Sequence, residues 1–334
     1  MKLAYLAFTD RGMKLAVELS EALGGRLSRC GNGLSLGQWT EENFDSCDGL
    51  VFVGAAGIAV RAIAPHVRKK DCDPAVVVVD ELGTFAISLM SGHLGGANRL
   101  TEQIASIIGA QPVITTATDV NGKFAVDIWS GHVNAKVIET GRIKLVSSAV
   151  LAERAVGVYS PWEISGRLPE YVELSDREHA DICLDVRIYD DDRQNILHLV
   201  PMIGILGIGC RKDTSQEQIE EAFEAFTEET GISPEAVTQV VSIDLKKDEA
   251  GILGFCRMRK WPFTTFTAEE LAAAPGEFTE SEFVKKTTGV GSVCERSAAY
   301  AGGTIIEKKF SHSGVTFAFG VKDYSPDWNW KERY

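Results

Sequence analysis

The sequence has little of what marks membrane, secreted or metal-binding proteins. It contains no apolar run of about 18 residues, and its first residues, MKLAYLAFTDRGMK, do not form a cleavable signal pattern. Its seven cysteines are an odd number without a C-x-x-C pair, which argues against a disulfide framework and a zinc site. We therefore expect a cytoplasmic protein without membrane association.

Basic residues are also scarce. The 34 lysines and arginines are outnumbered by 47 acidic residues, which gives a net charge of −13. Nucleic-acid binding needs a basic surface, and no lysine- or arginine-rich stripe is present, so we expect no nucleic-acid partner. An anionic small molecule could still bind where arginines are locally concentrated.

The chain is longer than a single hydrophobic core usually supports. It has 334 residues, and roughly 150 residues per domain is typical. Strand-like apolar segments alternate with amphipathic helical segments, which predicts an α/β fold with mostly parallel or mixed sheets flanked by helices. We place an N-terminal α/β domain at residues 1–138, a small α/β middle domain at 139–202 and a C-terminal α/β domain at 203–334.

The segment 76–104 concentrates reactive and turn-forming residues. A VVVV strand ends at Asp80 and Glu81, and the carboxyl ends of strands in an open parallel sheet face the ligand crevice. His93 lies between glycines, so we expect it in an exposed turn, where a neutral imidazole near pH 7 can exchange a proton. Glu81 and His93 are therefore candidate catalytic residues, although an acidic residue after a strand can also cap a turn. Ahead of the next helix, the candidate residues for binding a carboxylate are Ser91, Gly92, Gly95 and Arg99.

Three glycine turns each have an arginine nearby. They are Gly54-AAG, Gly207-IGCR and Gly289-VGSVCERSAAYAGG. Such turns expose backbone N–H groups at a helix start, where the partial positive charge suits a carboxylate or phosphate. The glycines could instead serve only tight turns, and Ser292 and Glu295 could cap a helix as well as bind substrate. The candidate substrate-binding residues in these turns are Gly54, Gly57, Arg61, Gly209, Arg211, Gly291, Ser292, Glu295 and Arg296.

A dinucleotide-binding fold competes with this interpretation, but its fingerprint is incomplete. Lys212 and Cys294 stand where the third glycine of G-x-G-x-x-G belongs, and no P-loop motif occurs. Helix starts are predicted nearby at Thr214, which has capping-box spacing to Glu217, and at Ser233-PEAV. The FVKKTT run before Gly289 is too polar for a buried strand.

Several of these segments resemble the CbiG family of cobalt-precorrin-5A hydrolases, which act in anaerobic cobalamin (vitamin B12) biosynthesis. The resemblance is carried by GAAGIAVRAIAPHV, VVVDELGTFAISLMSGHLGGANRLTEQIA, ITTATD, GIGCRKDTS and TGVGSVCERSA. It implies a three-part architecture whose C-terminal part is similar to CobE. It also implies a cobalt-bearing tetrapyrrole substrate whose δ-lactone is opened with release of acetaldehyde to give cobalt-precorrin-5B.

The chemistry implied by this resemblance needs a general base and N–H donors for the developing oxyanion. Cobalt arrives with the substrate, so the resemblance implies no protein-bound metal and no other cofactor, and it suggests other cobalamin-pathway enzymes as partners. Arginines beside glycine turns suit the peripheral carboxylates of a tetrapyrrole. A non-catalytic carrier of corrinoid intermediates and a nucleotide-dependent oxidoreductase remain as alternatives.

Overall fold

The computed structural model describes residues 1–31, 33–69, 72–189 and 195–329, which form three sheets flanked by helices. The chain divides into two compact units. Among the described residues, the first unit comprises Met1–Trp129 and Ser147–Arg154, and the second comprises Ser130–Val146 and Ala155–Asn329. The α/β fold with mixed sheets is thus confirmed, whereas the domain boundaries at residues 138 and 202 remain predictions.

The first unit is built around a six-stranded sheet with the order β2-β1-β3-β4-β5-β6. The strands β1 to β4 are parallel, and β5 runs antiparallel to β4. Because the strand order reverses between β1 and β3, the carboxyl ends of these strands flank the crevice where open α/β sheets bind ligands. The elements are β1 (Leu3–Ala7), α1 (Asp10–Leu23), β2 (Arg26–Arg29), α2 (Leu36–Phe44), β3 (Gly49–Val53), α3 (Ala56–Ile63), β4 (Ala75–Val79), β5 (Phe85–Met90), α4 (Ala97–Ile108), β6 (Gln111–Val113), α5 (Ala117–Val120) and α6 (Val126–His132).

Burial on both faces explains why the central strands of this sheet are almost wholly apolar. Every residue of β1, β3 and β4 is buried. Two hydrophobic clusters cover the two faces, one containing Leu19 and Leu100 and the other Trp39 and Phe52. Continuous apolar runs are typical of parallel strands that helices cover on both sides.

A five-stranded sheet opens the second unit, with the order β7-β11-β10-β8-β9 and an antiparallel edge strand β7. Its strands are β7 (Ala135–Val137), β8 (Val156–Tyr159), β9 (Val172–Leu174), β10 (Ile182–Leu184) and β11 (Leu197–Pro201). The helix α7 (Ile143–Leu151) begins in the second unit and ends in the first, and α6 begins in the first and ends in the second. The strands β8 to β11 are parallel.

The third sheet, also in the second unit, has the order β14-β13-β12-β16-β15. Its strands β12, β13 and β14 are parallel, and β16 is antiparallel to both β12 and β15. An aromatic core lies beneath it, where Phe223 makes edge contacts with Phe255, Trp261 and Phe317. The elements are β12 (Gly204–Cys210), α8 (Gln216–Thr230), β13 (Val237–Ile243), α9 (Ala250–Arg259), β14 (Phe263–Phe266), α10 (Ala268–Ala272), α11 (Glu282–Thr288), α12 (Val293–Tyr300), β15 (Thr304–His312) and β16 (Val315–Val321).

Several local predictions are corrected by the structure. The N-cap of α8 is Ser215, one residue after Thr214, and its capping box closes on Gln218. Ser233 caps only a short 3₁₀ turn at Pro234–Ala236, because the chain enters β13 immediately afterwards. By contrast, FVKKTT lies in α11, which agrees with the expectation that it is too polar for a buried strand.

The helix α12 crosses β12 at unusually short range, and Gly207 makes this possible. A Cβ atom at Gly207 would lie 1.9 Å from the carbonyl oxygen of Cys294, in the first turn of α12. Gly207 is therefore a packing residue inside the strand, and it does not form the anion-binding turn expected from its spacing.

We expect Gly207→Ala to destabilise the second unit by about 3 kcal/mol, because an overpacked core must shift the backbone of α12. Urea unfolding of both proteins, followed by tryptophan fluorescence, measures this loss. Gly141→Ala is the matched control in the same unit, since nothing lies within 4 Å of its added methyl. An equal effect of the two substitutions would contradict the close-packing explanation.

Candidate functional site

A cavity of about 1160 Å³ lies within the second unit, at the carboxyl ends of β12 and β13. The strands contribute Cys210 and Ile243, and α11 forms one wall through Val284 and Thr288. Opposite β12, the antiparallel strands contribute Lys309 and Thr316. This is the edge of an α/β sheet at which ligands are usually bound.

Three helix starts line this cavity. They are the first turns of α8 at Ser215, of α9 at Glu249 and of α12 at Ser292. Ser215 satisfies a backbone N–H of α8 with its own hydroxyl, whereas the N-caps of α9 and α12 make no such side-chain bond. Unsatisfied N–H groups and the positive ends of helix dipoles favour an anion at this place.

The charged side chains of the cavity balance one another, in contrast to the net charge of −13 for the chain. Among the described residues that line it, the cations are Arg211, Lys212, Lys246 and Lys309, and the acids are Asp213, Glu217, Asp248 and Glu249. One pair is internal, since the Lys246 ammonium lies 2.7 Å from the Glu249 carboxylate. Because the charges of the lining side chains cancel, the partial positive charges at the helix N-termini make the electrostatic potential of the cavity more positive.

Apolar side chains form much of the remaining surface. Ile243, Val284 and Val293 line the cavity, and Leu245 at its rim is 65% exposed. An apolar interior with a few polar groups is typical of sites that bind organic ligands. The cavity therefore suits a molecule with a broad apolar body and anionic substituents.

Three of the predicted substrate-binding residues line this cavity. Gly209 lies within β12, and a Cβ atom added to it would lie 2.7 Å from the hydroxyl oxygen of Thr316. Arg211 is exposed, and its guanidinium has no carboxylate partner in the described part of the chain. Ser292 is 2% exposed, and its hydroxyl lies 3.9 Å from the thiol of Cys294.

Glu295, a candidate for substrate binding or for helix capping, forms hydrogen bonds within the protein instead. The carboxylate, 1% exposed, accepts hydrogen bonds from the backbone N–H of Thr279 at 2.6 Å and from the Thr279 hydroxyl at 2.8 Å. A third bond, at 2.8 Å, comes from the backbone N–H of Lys309. Glu295 therefore ties the segment before α11 to β15.

Arg296 and Gly291 contact the same segment rather than the cavity. The Arg296 guanidinium lies 2.8 Å from the Glu280 carboxylate and 4.8 Å from the centre of the Phe278 ring. Gly291 packs so closely that an added Cβ would meet that Glu280 carboxylate at 1.8 Å. These contacts fix the chain that leads into the α11 wall.

In the first unit, His93 is enclosed between two carboxylates. Its Nδ1 lies 2.9 Å from Asp127 and its Nε2 lies 2.7 Å from Asp119, whose carboxylate also accepts a bond from the Asn98 amide. Burial by itself lowers the pKa of His93, but the hydrogen bonds to Asp119 and Asp127 outweigh it and raise the pKa to about 9. His93 is therefore an imidazolium at pH 7, not the neutral proton acceptor that we expected.

Glu81 and His93 lie at opposite ends of β5 and do not form a dyad. The antiparallel register pairs Val79 with Ala86 and Val76 with Met90, so β5 separates the two residues by roughly 17 Å at about 3.3 Å per residue. The Glu81 carboxylate instead accepts a 2.7 Å hydrogen bond from the hydroxyl of Thr9. The expected joint action of Glu81 and His93 thus has no support in this geometry.

The residues around His93 form a tightly folded turn. Ser91 has a positive φ of 58°, and a Cβ at Gly95 would lie 2.4 Å from the Ser91 side chain. A Cβ at Gly92 would lie 2.8 Å from the Asn98 amide. Arg99 is exposed on α4 without an ion pair in the described residues. Close packing accounts for both glycines without a bound ligand.

The remaining predicted residues lie at the crevice edge of the first sheet. Gly54 follows β3 and packs against Phe8, whose ring would be 2.7 Å from an added Cβ. Gly57 lies in the first turn of α3, near the exposed guanidinium of Arg61. Thus the structure brings Gly54, Gly57 and Arg61 together at one sheet edge, and Gly209, Arg211 and Ser292 at another.

The sequence did not indicate the partners of His93 or three cations of the cavity, Lys212, Lys246 and Lys309. Asp119 ends the polar ITTATD segment, but nothing in its spacing indicates contact with His93, 26 residues away. Asp127 lies 34 residues from His93. Nothing in the sequence around Lys309 indicates that it lines a cavity, because an irregularity in strand pairing has no sequence signature.

Apolar walls and helix starts at the carboxyl ends of an α/β sheet are features of proteins that bind organic anions. Two family models match the chain, "Cobalamin synthesis G N-terminal" over residues 38–119 and "Cobalamin synthesis G C-terminus" over residues 204–320. The chain belongs to this CbiG family, that of the cobalt-precorrin-5A hydrolases.

Two hydrolase relatives agree with this assignment. The cobalt-precorrin-5A hydrolase of Salmonella typhimurium is 37% identical over 292 residues, 83% of each chain. That of Priestia megaterium is 32% identical over 84% of this chain and 80% of its own. A crystal structure of a cobalamin biosynthesis protein G homolog from Sulfolobus solfataricus is 21% identical, with a TM-score of 0.42, over 96% of this chain and 97% of that one. Among the described residues, every helix is too short or too polar to span a lipid bilayer.

The charged His93 cluster should make stability depend on pH. Because its pKa rises from 6.5 to about 9 on folding, His93 stabilises the first unit fully below about pH 6.5, and this contribution is lost as the pH rises through about 9. At about 1.4 kcal/mol per pKa unit, the contribution is roughly 3 kcal/mol. We expect His93→Gln to be less stable than the parent at pH 6, and the difference to shrink by pH 10.

Denaturant unfolding at both pH values measures this difference. His66→Gln serves as the control in the same unit, because His66 has no ion pair in the described residues. A stability loss of the same size at pH 6 and pH 10 would show that the carboxylates do not hold His93 in its charged form.

Proposed function

We propose that the chain is a cobalt-precorrin-5A hydrolase that opens the δ-lactone of a cobalt-bearing tetrapyrrole and releases acetaldehyde to give cobalt-precorrin-5B. This makes it a hydrolase that cleaves a carbon–carbon bond. Family membership supports the substrate, and the cavity of the second unit is the observation that carries the site. Its helix starts favour anions, and its apolar walls suit a macrocycle.

The proposed reaction has two steps. Water adds to the lactone carbonyl carbon, and the carbon–oxygen bond of the ring breaks to give a carboxylate, an alcohol and a proton. The alcohol then loses its proton, and its oxygen forms the carbonyl of acetaldehyde as the carbon–carbon bond to the macrocycle breaks. The electron pair of that bond passes to the macrocycle, which takes up a proton.

The cavity offers separate groups for binding and for proton transfer. Arg211 and Lys212 lie exposed at the cavity and suit the peripheral carboxylates, which arginine can bind through two parallel hydrogen bonds. The Asp213 and Asp248 carboxylates have no ion-pair partner among the described residues and are available to accept a proton from water. In this proposal cobalt belongs to the substrate, and the protein contributes no metal or other cofactor.

We expect Arg211→Glu to raise the KM for cobalt-precorrin-5A at least tenfold, because it replaces a carboxylate-binding cation with a like charge. Acetaldehyde release from purified protein and cobalt-precorrin-5A measures this effect. Arg257→Glu makes the same charge change on an exposed position of α9 outside the cavity lining, and we expect it to leave KM unchanged.

The parent protein provides the test of the proposed activity itself. Acetaldehyde formed over many turnovers supports the hydrolase. Binding of cobalt-precorrin-5A without acetaldehyde would replace the hydrolase with a carrier of corrinoid intermediates. Equal KM values for Arg211→Glu and Arg257→Glu would remove the cavity from substrate binding while leaving the activity in place.

A further inference from the structure

Lys309 enters the cavity because the pairing of its strand is irregular. Glu307 pairs with Phe319 and Phe310 pairs with Phe317, so Lys308 and Lys309 together stand opposite Ala318. Two residues opposite one make a β-bulge, which inverts the alternation of side chains beyond it. In a regular strand, side chains alternate between the two faces of the sheet, so Lys309 would lie on the same face as Glu307. The bulge places it on the opposite face, and Lys309 lines the cavity.

The bulge is held by a buried carboxylate. The backbone N–H of Lys309 donates a 2.8 Å hydrogen bond to Glu295, which is 1% exposed and lies in the first turn of α12. This bond involves only the backbone of Lys309. The side chain is therefore aimed by a fixed backbone, and its replacement leaves the anchoring bond intact.

The ammonium of Lys309 is available to a ligand. No carboxylate of the described residues forms an ion pair with it, whereas the neighbouring cavity cation Lys246 is paired with Glu249. Lys309 is half-buried, in contrast to the exposed Arg211 and Lys212. A cation in a drier place interacts more strongly with charge than one at a solvated rim.

The cavity groups around the start of α12 are of the kind that favours a bound anion. Ser292, the N-cap of α12, is 2% exposed and lines the cavity, and its hydroxyl lies 3.9 Å from the Cys294 thiol. Val293 and Cys294, the first two residues of α12, line the same cavity as Lys309. A buried hydroxyl, the first turn of α12 and a lysine without an ion-pair partner among the described residues thus line the same cavity.

We infer that Lys309 is a catalytic residue that binds the oxyanion formed when water adds to the lactone carbonyl. The inference rests on the proposed function. As the water oxygen bonds to the carbonyl carbon, the carbonyl electron pair moves to its oxygen, beside the ammonium and the start of α12. The pair returns when the ring carbon–oxygen bond breaks and the departing oxygen takes up a proton. Lys309 keeps its own proton throughout.

The test compares Lys309→Met with Lys308→Met in the full chain. Lys308 is the adjacent residue of the bulge, is exposed and does not line the cavity, so it is a matched control. Loss of a single oxyanion contact typically lowers kcat by about 10² to 10³. We expect that loss for Lys309→Met with KM within about threefold of the parent, no change for Lys308→Met, and partial recovery in Lys309→Arg, which keeps the charge.

The possible outcomes separate this inference from the proposed function. A parent and a Lys308→Met variant that both release acetaldehyde uphold the function, whatever Lys309→Met does. A normal kcat in Lys309→Met, or an increase in KM alone, would overturn the oxyanion role and make Lys309 at most a carboxylate anchor. No acetaldehyde from the parent would remove both proposals. Equal melting temperatures of the three variants show that the comparison concerns folded protein.

Discussion

The cavity of the second unit depends on the buried carboxylate of Glu295. Its three hydrogen-bond donors come from Thr279, just before α11, and from Lys309 in β15. Hydrogen bonds to a charged group each contribute about 1.5–3 kcal/mol, and a buried carboxylate without donors is strongly unfavourable. Since α11 and β15 both line the cavity, one residue of α12 fixes two of its walls.

Close packing supplies the other constraint on this site. Because Gly207 has no side chain, the first turn of α12 lies directly against β12, and the carbonyl oxygen of Cys294 fills the place of a Cβ. The start of α12 is thereby held at the carboxyl end of the sheet, next to the starts of α8 and α9. The site is therefore made of rigid elements whose N–H groups are oriented before any ligand arrives, which is what electrostatic stabilisation requires.

The sequence was sufficient to predict the α/β class and the strand β4, because buried parallel strands are continuous apolar runs. It also indicated the cavity residues Gly209, Arg211 and Ser292 through the strand–turn–helix pattern. It failed where function depends on distant contacts. The sequence around Glu295 is the same whether its carboxylate faces a ligand or Thr279. His93 is held in its protonated form by Asp119 and Asp127, which lie far from it along the chain. The bulge at Lys309 arises from pairing with β16, so the sequence of β15 alone could not reveal it.

The excess of acidic residues does not conflict with a site for an anionic ligand. At physiological ionic strength charges are screened over about 8 Å, so acidic residues on distant surfaces contribute little inside the cavity. Within that range the positive and negative charges of the lining side chains balance, so the positive ends of the helix dipoles determine the sign of the potential. These dipoles belong to the backbone and do not titrate, so substitutions on the outer surface leave them unchanged. Net charge therefore governs the rate at which an anionic substrate approaches, whereas the first turns of α9 and α12 govern where its charge is held.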